Sequence, residues 1–387
     1  MVFAAAGSFH ATRCPMSSIS SSSTPARFFH LKNTTISIEA TVLKNNSKKR
    51  NEIIGLPILS LQDLPQIRGR VHEIFQRQSK LAMDDDYKTL QIDQHVAEEG
   101  YERCRKICAE YSKTFYLGTL MMRKEQQRAV WAIYGWGRRI DDLVDGPMAE
   151  GVSVDVLDQW EDRLEDIFKG KSHDIIDIVL TDTVSKFHLD IQPFKDVIEG
   201  MRMDINKKRY KNFEELCLYS YYVNGAGCLM LLPLFGIGSN EETPLQTEKL
   251  YNVIAHASLA TQISNILRDV GEDASRGRIY LPQDELARFG LSDEDVLSMK
   301  VTDRWINFMK EQIKRARFYY QLAEEDSSCF DKTTRLTIIA TLRMYSTSLD
   351  GIEENDYNNF TKRADVGRIR KLLKLPQTFL RAIMYNS

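Results

Sequence analysis

Two stretches of this sequence set carboxylates one helical turn apart among apolar residues. In "RRIDDLVDGP", residues 138–147, Asp141 and Asp145 stand four apart. At about 100° per residue they share a helix face with Tyr134 and Arg138, while Asp142 falls off the stripe. Residues 260–286, "ATQISNILRDVGEDASRGRIYLPQDEL", repeat the arrangement. Gln262, Asn265, Asp269 and Asp273 follow at spacings of three, four and four, with Arg268 beside the first aspartate. One such stripe reads equally well as a solvated face laced with ion pairs. Two of them, in comparable apolar helices over a hundred residues apart, are hard to assign to surface decoration.

Carboxylates one turn apart project roughly 6 Å apart along one face. That spacing grips a hard divalent cation without filling its shell, and magnesium keeps waters and shares a few carboxylates with substrate phosphates. Two stripes facing each other across a bundle would clamp Mg²⁺ ions around a diphosphate, and the adjacent arginines would help stabilise pyrophosphate as it departs. A carboxylate di-iron centre is the rival reading. It wants Glu-x-x-His pairs on two helices, and the sequence has none. Loss of diphosphate from carbon leaves a carbocation, whose cavity must be apolar, dry and lined with aromatic faces. Phe115, Tyr116, Tyr134, Tyr219, Tyr221, Tyr222 and Tyr345 are candidates, each with ordinary core as the alternative.

The elements that must carry these stripes read as helices. From about residue 95 apolar residues recur at helical spacing, as in Trp160, Leu164, Ile167 and Phe168, or Trp305, Phe308, Met309, Ile313 and Ala316. No proline falls between Pro65 and Pro147 or between Pro282 and Pro376, and proline breaks a helix interior at roughly 3 kcal/mol. Thr302 or Asp303 makes a plausible N-cap for the helix that holds Trp305. Strand-like alternation is scarce, and there is no internal repeat or Gly-rich phosphate loop of the dinucleotide or P-loop type. The expectation is an all-α single domain over residues 95–387.

Composition bounds the rest. The 387 residues are 43% hydrophobic and 27% charged, with a net charge of −2, so charge gives no case for nucleic acid as a partner. No run approaches 18 consecutive apolar residues, the length of a membrane-spanning helix. Six cysteines show no metal-type spacing and read as reduced thiols. The first residues differ: no acid precedes Glu39, serines run from 20 to 23, and Arg13, Arg27 and Lys32 are scattered among them. That is the composition of an organelle transit peptide, with a merely unstructured tail as the alternative. Residues 1–52 are assigned to this segment and its linker, and 53–94 to a helical or loosely ordered lead-in.

The carrying segments "YERCRKICAEYSKTFYLGTL", "AVWAIYGWGRRIDDLVDGP", "DIQPFKDVIEGMRMDINKKRYKNFEEL", "NILRDVGEDASRGRIYLPQDEL", "GLSDED" and "IEENDYNNFTKR" resemble the head-to-head prenyl synthases, and among them the plant phytoene synthases. The resemblance spans roughly residues 95–380. It implies an isoprenoid-synthase helical bundle around a central cavity. It also implies a transferase of carotenoid biosynthesis that joins two geranylgeranyl diphosphates through prephytoene diphosphate to phytoene, releasing both diphosphates. Carried over by motif, Asp141 and Asp145 form the first metal pair, and Asp269 and Asp273 the second with Asn265 beside it. Tyr134 and Tyr219 join these aspartates in the catalytic set. Arg138, Arg268, Gln262, Asn265, Arg276, Arg278 and Arg363 would contact substrate, and Tyr111, Lys113 and Phe115 fall in the segment that helps close the site. The implied cofactor is Mg²⁺ or Mn²⁺ without NADPH, and the implied compartment is the plastid (chloroplast). Peripheral membrane contact and association with other plastid isoprenoid enzymes are further implied partners.

The chain also departs from the family pattern. Val223-Asn224-Gly225-Ala226-Gly227-Cys228 stands where the family usually reads Val-Ala-Gly-Thr-Val-Gly. Ser258 and Thr261 replace the usual Gly and Asn, Gly135 and Gly137 replace larger residues, and Asp142 replaces Glu. The four paired aspartates are intact. Two alternatives remain: a catalytically weak paralogue acting as a binding subunit, and a squalene-type synthase that would reduce the cyclopropyl intermediate with NADPH.

Overall fold

The computed structural model describes residues 55–60, 63–83, 92–145, 154–236, 244–364 and 366–367. The expected transit segment and the C-terminal "KLLKLPQTFLRAIMYNS" lie outside the described residues. Fourteen α-helices follow along these segments. They are α1 (Pro65–Ala82), α2 (Gln94–Tyr111), α3 (Lys113–Thr119), α4 (Lys124–Asp145), α5 (Val154–Phe168), α6 (Ile175–Phe187) and α7 (Gln192–Asn206). Then come α8 (Phe213–Ser220), α9 (Ala226–Leu231), α10 (Pro244–Ser275), α11 (Gln283–Arg288), α12 (Asp293–Leu297), α13 (Asp303–Asp326) and α14 (Lys332–Glu354). Among the described residues the only extended pairing is an isolated bridge between Arg209 and Ile279. The molecule is all-α.

Local chemistry sets the helix ends. Asp93, Asp174, Asn212 and Asp331 each accept backbone N–H groups of the first turn that follows, which satisfies donors no helix can pair internally. Thr302 caps α13, accepting from Trp305 N, and Asp303 opens its first turn. Pro65 opens α1, and Pro244 opens α10, where the missing N–H is not needed.

Two helix groups build the core. Helices α2, α4 and α6 pack on one another, and α10 packs most extensively on α13 and also on α14. Trp136 of α4 is fully buried edge-on against Phe194 of α7, with ring centroids 5.0 Å apart. Gly135 explains one departure from the family pattern: a Cβ there would press on Cys104 Sγ at 2.9 Å, so glycine lets α2 and α4 approach closely. The expected lead-in contains a docked helix. Ile67, Val71, Ile74 and Phe75 of α1 are buried, Arg70 reaches Asp196 at 2.6 Å, and Arg77 reaches Asp190 at 2.9 Å.

Candidate active site

On α4 the aromatic and basic members of the stripe turn inward. Tyr134 has no exposure, and its ring stacks on Phe115 of α3 at 5.6 Å. Burial pushes its phenol well above the ordinary range, so it stays neutral. Arg138 is also buried; its Nη1 donates to Asp141 Oδ2 at 2.9 Å and its Nη2 to Asp142. Its guanidinium lies over the ring of Tyr111, 4.3 Å from the centroid. Asp142, off the stripe in the sequence reading, therefore shares the same cation as Asp141. Arg139 serves a different network, pairing with Asp174 and Asp177 of α6 and lying over Trp160. Lys113 is exposed at the start of α3. Asp145 ends α4, and its side chain lies outside the described residues.

On α10 the stripe runs through the longest helix described, 32 residues. Gln262 and Asn265 are each only 6% exposed, yet Gln262 Oε1 and both Asn265 amide atoms have no hydrogen-bond partner. Leaving such groups unpaired costs about 1–3 kcal/mol apiece, the pattern expected where a ligand completes the bonding. Asp269 accepts from Arg268 Nε at 2.9 Å and Nη2 at 2.5 Å, and from Arg363 Nε at 2.8 Å. Burial alone would raise its carboxyl; the two guanidinium charges outweigh that and hold it below the usual carboxylate range. The Asp273 carbonyl accepts the N–H groups of Arg276 and Arg278 and closes the helix. Arg276 is exposed and pairs with Glu272 at 3.2 Å.

A C-terminal strap delivers Arg363. Asn359 Nδ2 donates to the Leu267 carbonyl at 2.6 Å, and its Oδ1 accepts from Trp305 Nε1 at 3.2 Å. Trp305 stacks on Phe360 at 4.3 Å, and Gly271 N donates to Asn359 O. A Cβ on Gly271 would collide with the Phe360 carbonyl. Sequence reading missed Gly271 and Asn359. The available signal was a glycine inside a long helix between two aspartates, where it costs about 1 kcal/mol against alanine and so points to a packing reason.

Two tyrosines lie buried near these residues, and the Tyr320 hydroxyl is hydrogen-bonded with Ser264 Oγ of α10 at 3.0 Å. Tyr345 of α14 is close enough to Tyr134 and to Arg268 to interact electrostatically with both, and Tyr320 of α13 also lies near Arg268. Other predicted residues sit elsewhere. Tyr219 donates to Asp204 Oδ2 at 3.0 Å and Tyr280 to Oδ1 at 2.9 Å, with the two rings stacked at 5.4 Å. Tyr221 donates to Asp196, and Tyr116 stacks on Trp131. Among the described residues no three His, Cys, Asp or Glu side chains gather as a ready metal cage. A small cleft between α1 and α10, lined by Leu64, Ile67, Val71, Tyr221, Tyr251 and Ser258 among others, includes none of the stripe residues.

A family model for squalene/phytoene synthases matches residues 108–370. A chloroplastic phytoene synthase from an Oncidium hybrid cultivar is 56% identical over 292 residues, covering 76% of this chain and 70% of that protein. Chloroplastic phytoene synthase 1 of Arabidopsis thaliana is 53% identical over 289 residues, covering 75% and 68%. A crystal structure of a dehydrosqualene synthase in complex with ligand superposes with a TM-score of 0.65 at 28% identity, covering 74% of this chain and 98% of the other. A squalene synthase from Alicyclobacillus acidocaldarius shares the fold, with a TM-score of 0.60 at 22% identity over 69% and 97%.

Proposed function

Given that the chain belongs to the squalene/phytoene synthase family, we propose that the α4 and α10 stripes together bind and ionise allylic diphosphates. Its activity is that of a phytoene synthase, a transferase of carotenoid synthesis, and its compartment is the plastid. The substrate is geranylgeranyl diphosphate. The observation that carries the site assignment is the unpartnered Gln262 and Asn265 pair beside an aspartate held by two arginines.

The donor set fits a hard divalent cation. Asp141, Asp145, Asp269, Asp273 and the Asn265 carbonyl offer oxygen only, and the buried Asn265 Oδ1 has a free acceptor. The family is divalent-metal dependent, and Mg²⁺ (or Mn²⁺) is the ion proposed. Bound there, it would neutralise diphosphate charge and make pyrophosphate a better leaving group.

The chain's own residues supply the rest. Arg138, Arg268 and Arg363 are charged side chains that exchange carboxylate for phosphate oxygens, a geometry guanidinium serves well. Ionisation of one substrate leaves an allylic cation, which the second alkene attacks; proton loss closes the cyclopropane of prephytoene diphosphate. Loss of the second diphosphate, ring rearrangement and a final proton loss give phytoene. No hydride enters, so NADPH is not required. Phe115, Tyr134 and Tyr345 offer ring faces to the cations, and Tyr134, kept neutral by burial, presents a phenol rather than a phenolate. Residues 95–387 form the catalytic unit, with α1 docked on it. The apolar product favours peripheral contact with a plastid membrane or a neighbouring isoprenoid enzyme.

The test is product analysis after incubating residues 53–387 with geranylgeranyl diphosphate, Mg²⁺ and lipid, beside tubes carrying EDTA, NADPH or farnesyl diphosphate. Metal-dependent phytoene without NADPH is expected. A folded chain that makes no product where a known synthase works would favour a binding subunit.

A further inference from the structure

Three of the departures from the family pattern meet in space. Residues Tyr221–Gly225 form a π-helical turn between α8 and α9, in which Ala226 N reaches back to Tyr221 O. Such turns insert one extra residue into a helix and recur at functional sites. Asn224 lies within it, fully buried. Its Nδ2 donates to Thr261 Oγ1 at 2.7 Å and, at 3.4 Å, to the Ser258 carbonyl. Thr261 Oγ1 in turn donates to Ala257 O at 2.7 Å. Asn224 Oδ1 has no partner. The family pattern places alanine at 224 and an amide at 261; here the amide stands on the π turn and a hydroxyl on α10.

We propose that Asn224 and Thr261 form a coupled positioning pair that fixes α10 against the π turn directly beside Gln262, and so sets the stripe of Gln262, Asn265 and Asp269. This inference rests on the reading of that stripe as the diphosphate site. Thr261 adjoins Gln262 and lies four residues before Asn265, so a rotation of α10 at Thr261 displaces both unpartnered amides. The contact carries directional information that an apolar contact would not, because a hydrogen bond weakens steeply with angle. The two substitutions are then coupled: the amide at 224 and the hydroxyl at 261 make together a bond that neither makes alone. Asn224→Ala alone restores a family residue yet cuts the tie, whereas Asn224→Ala with Thr261→Asn returns both positions of the pair to the family residues and leaves Ala226, Gly227, Cys228 and Ser258 as they are.

The experiment compares residues 53–387 with N224A, T261V, T261S, N224A/T261V and N224A/T261N. It reads kcat and KM for geranylgeranyl diphosphate and thermal stabilisation by inorganic pyrophosphate with Mg²⁺. The second readout needs no turnover, so it separates this inference from the assignment of the reaction. N224A and T261V are each expected to lower kcat roughly tenfold and to shrink the pyrophosphate shift, with KM little changed. T261S, which keeps the hydroxyl, is expected to match the parent. N224A/T261V is expected to fall no further than the worse single variant, and N224A/T261N to regain most of the loss. Losses that multiply in N224A/T261V, a parent-like N224A, or no recovery in N224A/T261N overturn the proposal. Loss of Tm in N224A with kcat and the pyrophosphate shift intact also overturns it, since the pair would then be merely structural.

Discussion

Arg363 reaches back across 94 positions to donate its Nε to Asp269 Oδ1 at 2.8 Å. The carboxylate that opens the second acidic pair is thus held from its own helix by Arg268 and from the far end of the chain by Arg363. Lysine at 363 keeps the charge and loses the planar fork. Arg363→Lys is expected to lower kcat/KM about tenfold, ~1.4 kcal/mol of transition-state binding. Steady-state kinetics check this, and a parent-like value would mean that position 363 needs only a cation.

Asp141 and Asp269 each sit against arginine in a mostly buried setting, with side chains 13% and 11% exposed. Asparagine at either position keeps the shape and removes the anion a divalent ion needs. Asp141→Asn and Asp269→Asn are expected to abolish phytoene formation while circular dichroism and Tm stay near the parent's. Full turnover in either would remove that carboxylate from the metal set.

Gly271 is where the strap crosses α10. An ordinary Gly→Ala change inside a helix stabilises by up to about 1 kcal/mol. Here the new methyl would collide with the Phe360 carbonyl, so the strap must lift and take Asn359 and Arg363 with it. Gly271→Ala is expected to destabilise by about 1–3 kcal/mol and to depress activity more than Arg363→Lys. Urea unfolding and kinetics on one preparation test both halves.

These contacts mark the limit of the sequence. Both stripes, their faces and the all-α architecture were legible, because helical period fixes which side chains share a face. Thr302 was legible as a cap for the same local reason. Contacts between distant segments were not: nothing in "NNFTKR" says that it lies across Gly271, and nothing in the separate runs around 224 and 261 says that they touch. Tyr219 shows the same limit: its hydroxyl donates to buried Asp204, a partner no spacing rule could supply.

Burial makes one pH dependence specific. Cys104 has no exposure, and burial pushes its thiol up to about 12. Above the unfolded value of about 8.5 the unfolded chain releases this proton while the folded chain keeps it, so stability falls as pH rises. The contribution is full below about pH 8.5 and is lost on the way to 12. Cys104→Ala is expected to flatten the decline in unfolding free energy between pH 8.5 and 10 by up to ~1.4 kcal/mol per unit. Urea titrations at three pH values measure it, and equal slopes would mean that the thiol ionises as readily folded as unfolded.

Helix α1 lies outside the family-model match yet supports the site. Asp196, 1% exposed, accepts three bonds from Arg70 and one each from Gln192 and Tyr221, the first residue of the π turn. Removing Arg70 leaves a buried carboxylate short of its cation, which costs several kcal/mol at a fully buried site. Arg70 is itself 34% exposed, so solvent screening reduces the figure to about 1–3 kcal/mol. Arg70→Ala is therefore expected to destabilise by that amount, and Asp196→Asn in the same chain to recover part of it by removing the stranded charge. Starting the chain at residue 84 deletes both Arg70 and the buried face of Ile67, Val71, Ile74 and Phe75, and should cost more than Arg70→Ala. If the shortened chain instead unfolds at the parent's urea midpoint, α1 is an appendage and the π turn is held by α7 and α10 alone.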